Sequence, residues 1–110
     1  MVERVNEETN RPAVVRIAGA QDIATRNDLT IAFQRVRDNP HVIVDLTEST
    51  YLDSAAIGEL FRAEQRARAL EGRLIVVAPS ERIVRLLSIA GLTSSTQVVE
   101  TLDAAHALLR

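Results

Sequence analysis

The sequence predicts a single α/β domain: a mixed, mostly parallel sheet of four to five strands with about four helices packed on it. Three observations carry this. Short runs rich in Val, Ile and Leu alternate along the chain with longer stretches of helical periodicity. Two of those runs, His41 to Leu46 and Arg73 to Ala78, are almost continuously apolar, the pattern of strands covered on both faces. The helical stretches end at stop signals, Asn39-Pro40, Gly72 and Gly91. Such alternation implies strands joined by right-handed crossovers.

Residues 1–12 are polar apart from Val2 and Val5, and read as an edge strand or a loose N-terminal arm. Ala13 to Ala18 is a strand that ends at Gly19. The spacing of Leu29, Ala32, Phe33 and Val36 predicts a helix over Thr25–Asp38. After the strand at 41–46 and a loop, Ser54 to Glu71 reads as a second helix. Its buried side is expected to carry Ile57, Leu60, Phe61, Ala67 and Leu70, and its wet side Glu59, Arg62 and Arg66. Gly72 stands where a left-handed cap is expected. Pro79-Ser80 opens a third helix with Ile83, Leu86, Leu87 and Ala90 as its stripe. Thr96 to Val99 is a short strand, and Thr101 caps a last helix ending at Leu109.

Composition narrows the function classes. With only Phe33, Tyr51 and Phe61 aromatic, the core must be aliphatic, and no aromatic platform is available for stacking nucleic-acid bases. A net charge of −2 also argues against a nucleic-acid backbone binder. The absence of cysteine excludes disulfides, thiolate zinc sites and thiol catalysis. No apolar run approaches the ~18–20 residues that span a membrane, and the N-terminus lacks a signal-peptide core. A soluble, cytoplasmic domain without cofactor or metal is expected.

Most of the remaining chemistry lies in one stretch. Val42 to Leu46 leads through a loop to Tyr51-Leu52-Asp53-Ser54-Ala55-Ala56-Ile57-Gly58, which puts a serine at a helix start. Helix N-termini present unpaired N–H groups and about half a positive charge, a favourable seat for a phosphate. Ser54 is therefore either a plain N-cap or a phosphoryl acceptor. A serine nucleophile needs a base within reach. The two histidines are poorly placed, His41 at the amino end of a strand and His106 in the last helix, and the Gly-x-Ser-x-Gly elbow is absent. A serine hydrolase is thus the weakest reading. Loops leaving the carboxyl ends of the strands are expected to bring Asp22 near Ser54. Asp45 reads as a turn cap. Glu59, Glu64, Arg62, Arg66 and Arg68 read as a solvated helix face with i,i+4 pairs.

Several landmarks resemble the STAS family, the domain shared by sulfate transporters and bacterial anti-sigma factor antagonists. They are Val14 to Gly19 followed by Asp22-Ile23-Ala24-Thr25, Val42 to Leu46, Tyr51-Leu52-Asp53-Ser54 with Gly58, Glu71-Gly72-Arg73-Leu74, and Ser88-Ile89-Ala90-Gly91-Leu92. The likeness spans nearly the whole chain. It implies an anti-sigma factor antagonist (anti-anti-sigma factor) that works by partner switching in the control of transcription, for example in a stress response. On that likeness, the unphosphorylated form binds an anti-sigma factor serine kinase and so frees the sigma factor. Phosphorylation on Ser54 ends the binding, and a metal-dependent serine phosphatase resets it. Asp22, Asp53, Ser54, Ala55, Ala56 and Ile57 are the implied partner-binding residues, in a monomer or weak dimer with no direct nucleic-acid or membrane contact. The alternative within the family is an unphosphorylated adaptor in a signalling or transport assembly, and freestanding length speaks against a transporter tail. The chain departs at Ala56, where the family usually has glycine; its methyl is expected beside the serine, where a partner's backbone would approach.

Overall fold

The computed structural model describes residues 2–5, 11–21 and 26–110. Its elements run β1 (Val2–Val5), β2 (Ala13–Ile17), β3 (Gly19–Gln21), α1 (Arg26–Arg35), β4 (His41–Asp45), β5 (Ser49–Leu52), α2 (Ser54–Ala69), β6 (Arg73–Val77), α3 (Glu81–Ile89), a 3-10 turn at Leu92–Ser94, β7 (Gln97–Val99) and α4 (Leu102–Leu108). The main sheet has the order β1-β2-β4-β6-β7. Its last four strands are parallel, and β1 joins β2 antiparallel at one edge, in agreement with the expected mixed, mostly parallel sheet. Within the segment read as an edge strand or arm, Val2–Val5 thus takes the strand option.

The continuous apolar runs are explained by two cores. On one face, Val15, Ile17, Val42, Val44, Leu46, Leu74 and Val76 pack with residues of α1, α2 and α3, among them Phe33, Leu60 and Leu87. On the other, Ile43, Ile75 and Val77 pack with Ala105 of α4. Successive strand residues face opposite sides, so β4 and β6 must be apolar at consecutive positions. Full burial of each large aliphatic contributes roughly 1.5–3 kcal/mol, enough to make an aliphatic core sufficient here.

One part of the fold differs from the loop that the sequence predicts. β3 and β5 form a separate two-stranded parallel sheet, with Ala20 opposite Tyr51 and Gln21 opposite Leu52. Gly19, at φ +73°, turns the chain out of the line of β2. The Gly19 amide donates to the Glu48 carbonyl at 2.9 Å, and the buried Ser49 hydroxyl donates to the Ile17 carbonyl at 2.9 Å. Asp45 makes the expected turn, its Oδ1 accepting from the Thr47 amide at 3.0 Å. These contacts lead directly into α2.

The two ends of α2 correct several expectations. The left-handed residue after the helix is Glu71, at φ +61°, rather than Gly72. The Gly72 amide donates to the Ala67 carbonyl at 2.8 Å and the Glu71 amide to the Arg68 carbonyl at 2.9 Å, a Schellman closure. Gly72 is required for a different reason: a Cβ there would stand 1.7 Å from the Pro40 carbonyl oxygen. Leu70, expected to be buried, is 44% exposed because the helix ends at that residue and the chain turns away. Glu59 and Glu64, assigned to a solvated face, are buried, and each is held by an arginine one turn on, Arg62 and Arg68. The long arginines cover the carboxylates while their own heads stay exposed.

Candidate functional site

α2 begins directly after β5, so the β3–β5 pairing fixes where its first turn points. The residue that caps it is Asp53, with extended backbone (φ −81°, ψ 175°) and a carboxylate accepting from the Ala56 amide at 2.8 Å. The helical ladder starts with the Ile57 amide donating to the Asp53 carbonyl at 3.1 Å. Ser54 is therefore the first helical residue and not the cap, which removes the plain-cap reading of its hydroxyl. It is exposed, and its hydroxyl makes no hydrogen bond among the described residues. The Ser54 and Ala55 amides belong to the first turn and stand outside the helical ladder, beside the positive end of the dipole.

The capping assignment has a direct consequence for stability. Asp53→Ala is expected to lower stability by about 1 kcal/mol, the usual worth of such a cap, and the melting temperature by about 4 °C. Ser54→Ala should fall within about 0.5 kcal/mol of the parent. Thermal melts of the two variants side by side check this; equal losses would contradict the assignment of the cap to Asp53.

The other predicted site residues divide. Ala55 is half-buried at the surface, whereas Ala56 and Ile57 are 4% and 8% exposed and belong to the main core. Ala56 and Ile57 thus lie beneath the exposed first-turn surface of Ser54 and Ala55. The Ala56 methyl is buried in the core. Asp22, with Ile23, Ala24 and Thr25, lies outside the described residues. Tyr51, on β5, is 45% exposed. The histidines stand apart from Ser54. His41 begins β4 at the end of the sheet opposite Asp45, and His106 faces a cavity of about 570 Å³ that includes Val14, Asp45 and Leu102 on the α4 side. Neither is positioned to activate the Ser54 hydroxyl.

Two residues further along α2 belong to the same surface. Arg62 donates from Nη2 to Glu59 Oε1 at 2.6 Å, and that oxygen also accepts from Thr30 Oγ1 of α1 at 3.4 Å. Gly58 lies between Ser54 and Arg62 on the same helical strip, and a Cβ at 58 would be 3.7 Å from Arg62 Nη1. The signal in the sequence was the four-residue spacing 54, 58, 62, which a reading of Arg62 as wet-face charge passed over.

A sequence model of the STAS domain matches residues 3–105. The chain belongs to the STAS domain family. Among its relatives is a STAS-domain containing protein of Pseudomonas aeruginosa, 30% identical over 77 residues, which cover 69% of this chain and 76% of the relative. The anti-sigma-B factor antagonist of Listeria monocytogenes is 29% identical over 84 residues, covering 74% of each chain. Among solved structures, the Bacillus cell fate determinant SpoIIAA in its phosphorylated form superposes with a TM-score of 0.63 at 21% identity, over 100% of this chain and 98% of that one. At that identity the likeness is one of fold. STAS domains of the antagonist type are regulatory rather than catalytic, and the placement of Ser54 on an exposed first turn, away from both histidines, is compatible with that class. Among the described residues no helix is long and apolar enough to cross a membrane.

Proposed function

We propose that this STAS domain is an anti-sigma factor antagonist that acts by partner switching, with Ser54 as its phosphorylation site. The observation that carries the reading is the exposed, uncommitted Ser54 hydroxyl on the first turn of α2, whose cap is supplied by Asp53 instead. The curated Listeria relative bears the antagonist role in its name, and SpoIIAA occurs in a phosphorylated form. The partner is an anti-sigma factor with serine kinase activity, met in the cytoplasm, and a serine phosphatase reverses the modification. Phosphoryl transfer forms a bond from Ser54 Oγ to the γ-phosphorus of ATP and breaks the β–γ bridge. ADP leaves, and the hydroxyl proton passes to a base of the kinase.

The docking face comprises Ser54, Ala55 and Asp53, with Tyr51 alongside on β5 and Asp22 assisting recognition. Among the described residues of this face, Asp53 is the charge to be desolvated, and it is already held on the Ala56 amide. A phosphoserine adds about 1.5–2 negative charges at its centre, and the bound partner is lost.

Incubation with Mg-ATP and the anti-sigma kinases of the same genome, followed by peptide mass spectrometry, tests the site. A single phosphate on Ser54, absent from Ser54→Ala, is expected. Modification of Ser54→Ala by the cognate kinase would overturn the site. No modification by any of the kinases would leave an unphosphorylated adaptor as the better description.

A further inference from the structure

α2 carries an arginine in position to receive a phosphate on its own first turn. Ser54, Gly58 and Arg62 are spaced by four residues, so they line one strip of the helix. Helical side chains lean toward the N-terminus, and Arg62 does so: its Nη1 and Nη2 would lie 3.7 and 3.8 Å from a Cβ built on Gly58. The guanidinium therefore lies back along the helix, within van der Waals contact of where a methyl at 58 would stand. From there a residue one turn nearer the N-terminus is an immediate neighbour, at about 5–6 Å between Cβ positions. Glycine at 58 keeps that path open.

In the unmodified protein the guanidinium is committed elsewhere. Arg62 Nη2 donates to Glu59 Oε1 at 2.6 Å, and Glu59 is buried at the contact of α2 with Thr30 of α1. A phosphoserine presents three strong acceptor oxygens and more charge than a carboxylate. Every basic side chain of the positive count is an arginine, whose planar fork pairs phosphate through two parallel bonds. Among the described residues, the negative groups near the phosphate on this helix would be Asp53, held by the Ala56 amide, and Glu59, one turn on.

We infer that Arg62 is the in-chain partner that donates to a phosphate on Ser54, and that it leaves Glu59 when the group is added. This rests on the phosphorylation of Ser54 proposed above. The exchange carries the modification away from the first turn. Glu59 loses its charged partner in a buried position, and the loss is felt at Thr30 of α1. The Ser54 end and the α1–α2 contact then change together, so a partner touching either surface senses the phosphate.

The test separates this role from the site assignment by placing phosphoserine at 54 through directed incorporation, with no kinase involved. The second ionisation of that phosphate is followed by ³¹P NMR in the parent, Arg62→Gln, Arg62→Lys and Glu59→Gln backgrounds. Pairing with Arg62 should hold the parent midpoint about 0.3 unit below that of Arg62→Gln, with Arg62→Lys between them. Glu59→Gln removes the competitor and should lower the midpoint further. In ¹H–¹⁵N spectra the Arg62 Nε–H resonance should move on phosphorylation and stay in place with unmodified Ser54. Equal midpoints in parent and Arg62→Gln, with an unmoved Arg62 resonance, would overturn the inference while leaving the kinase result on Ser54 intact. Conversely, failure of every kinase to modify Ser54 would overturn the site assignment without altering these midpoints.

Discussion

Ser54→Asp should weaken binding to the cognate anti-sigma factor by about 100-fold or more, while Ser54→Ala should bind like the parent. The reason is desolvation. A carboxylate introduced on an exposed first turn is comfortable in the free protein, where water and the helix N-terminus stabilise it. Inside a docked face it loses that water and lies beside Asp53, and like-charge juxtaposition across or within an interface costs several kcal/mol. A factor of 100 corresponds to about 2.7 kcal/mol, well within that range. Alanine removes only a hydroxyl that has no partner among the described residues. Titration calorimetry with the anti-sigma factor checks both variants. If Ser54→Asp binds as tightly as the parent, the first turn of α2 does not lie in the contact, and partner switching at Ser54 must be given up.

Gly72→Ala should be the most damaging of the conservative substitutions in the fold, at about 3 kcal/mol and about 12 °C in melting temperature. The added methyl would stand 1.7 Å from the Pro40 carbonyl oxygen and 2.3 Å from its carbon. Both are backbone atoms that no rotamer change relieves. The same carbonyl accepts from the Arg73 amide at 2.9 Å, where β6 enters the sheet beside β4. Moving the chain to make room would loosen the first rung of the central pairing. Gly58→Ala is the matched control. There the methyl meets only the flexible end of Arg62 at 3.7 Å, and alanine is favoured inside a helix by ~1 kcal/mol. It should melt at or above the parent temperature. Urea denaturation of the pair checks the contrast, and a Gly72→Ala protein as stable as the parent would show that the approach to Pro40 is not tight.

The two glycines show what kind of information was legible in the chain. A glycine after a helical stretch signals a helix end, and the end is there. Which residue takes the left-handed conformation is decided by the Schellman bonds and by Pro40, thirty-two positions earlier, which claims the space beside Gly72. The site behaves in the same way. Tyr51-Leu52-Asp53-Ser54 marked the start of α2 and the STAS family correctly. Both Asp53 and Ser54 are good capping residues, and only the extended backbone at Asp53 shows which of them caps.

By itself, then, the sequence determined the order of the main-sheet strands and the helices, the parallel sheet with its doubly covered centre and the place of a serine at the start of α2. These follow from local periodicity and from short-range start and stop signals, which those elements carry. Tertiary structure alone decided the β3–β5 sheet, the burial of Glu59 and Glu64, the inward turn of Ala56 and the fold of Arg62 over Gly58. Each depends on a partner outside its own stretch of chain or on the direction a side chain takes. Glu59 reads as surface charge until Thr30 of α1 closes over it, and β5 reads as loop until the Gly19 amide donates to the Glu48 carbonyl and the Ser49 hydroxyl to the Ile17 carbonyl. Contacts of that range leave no period in the sequence, because the pairing energy belongs to two segments that only the folded chain brings together.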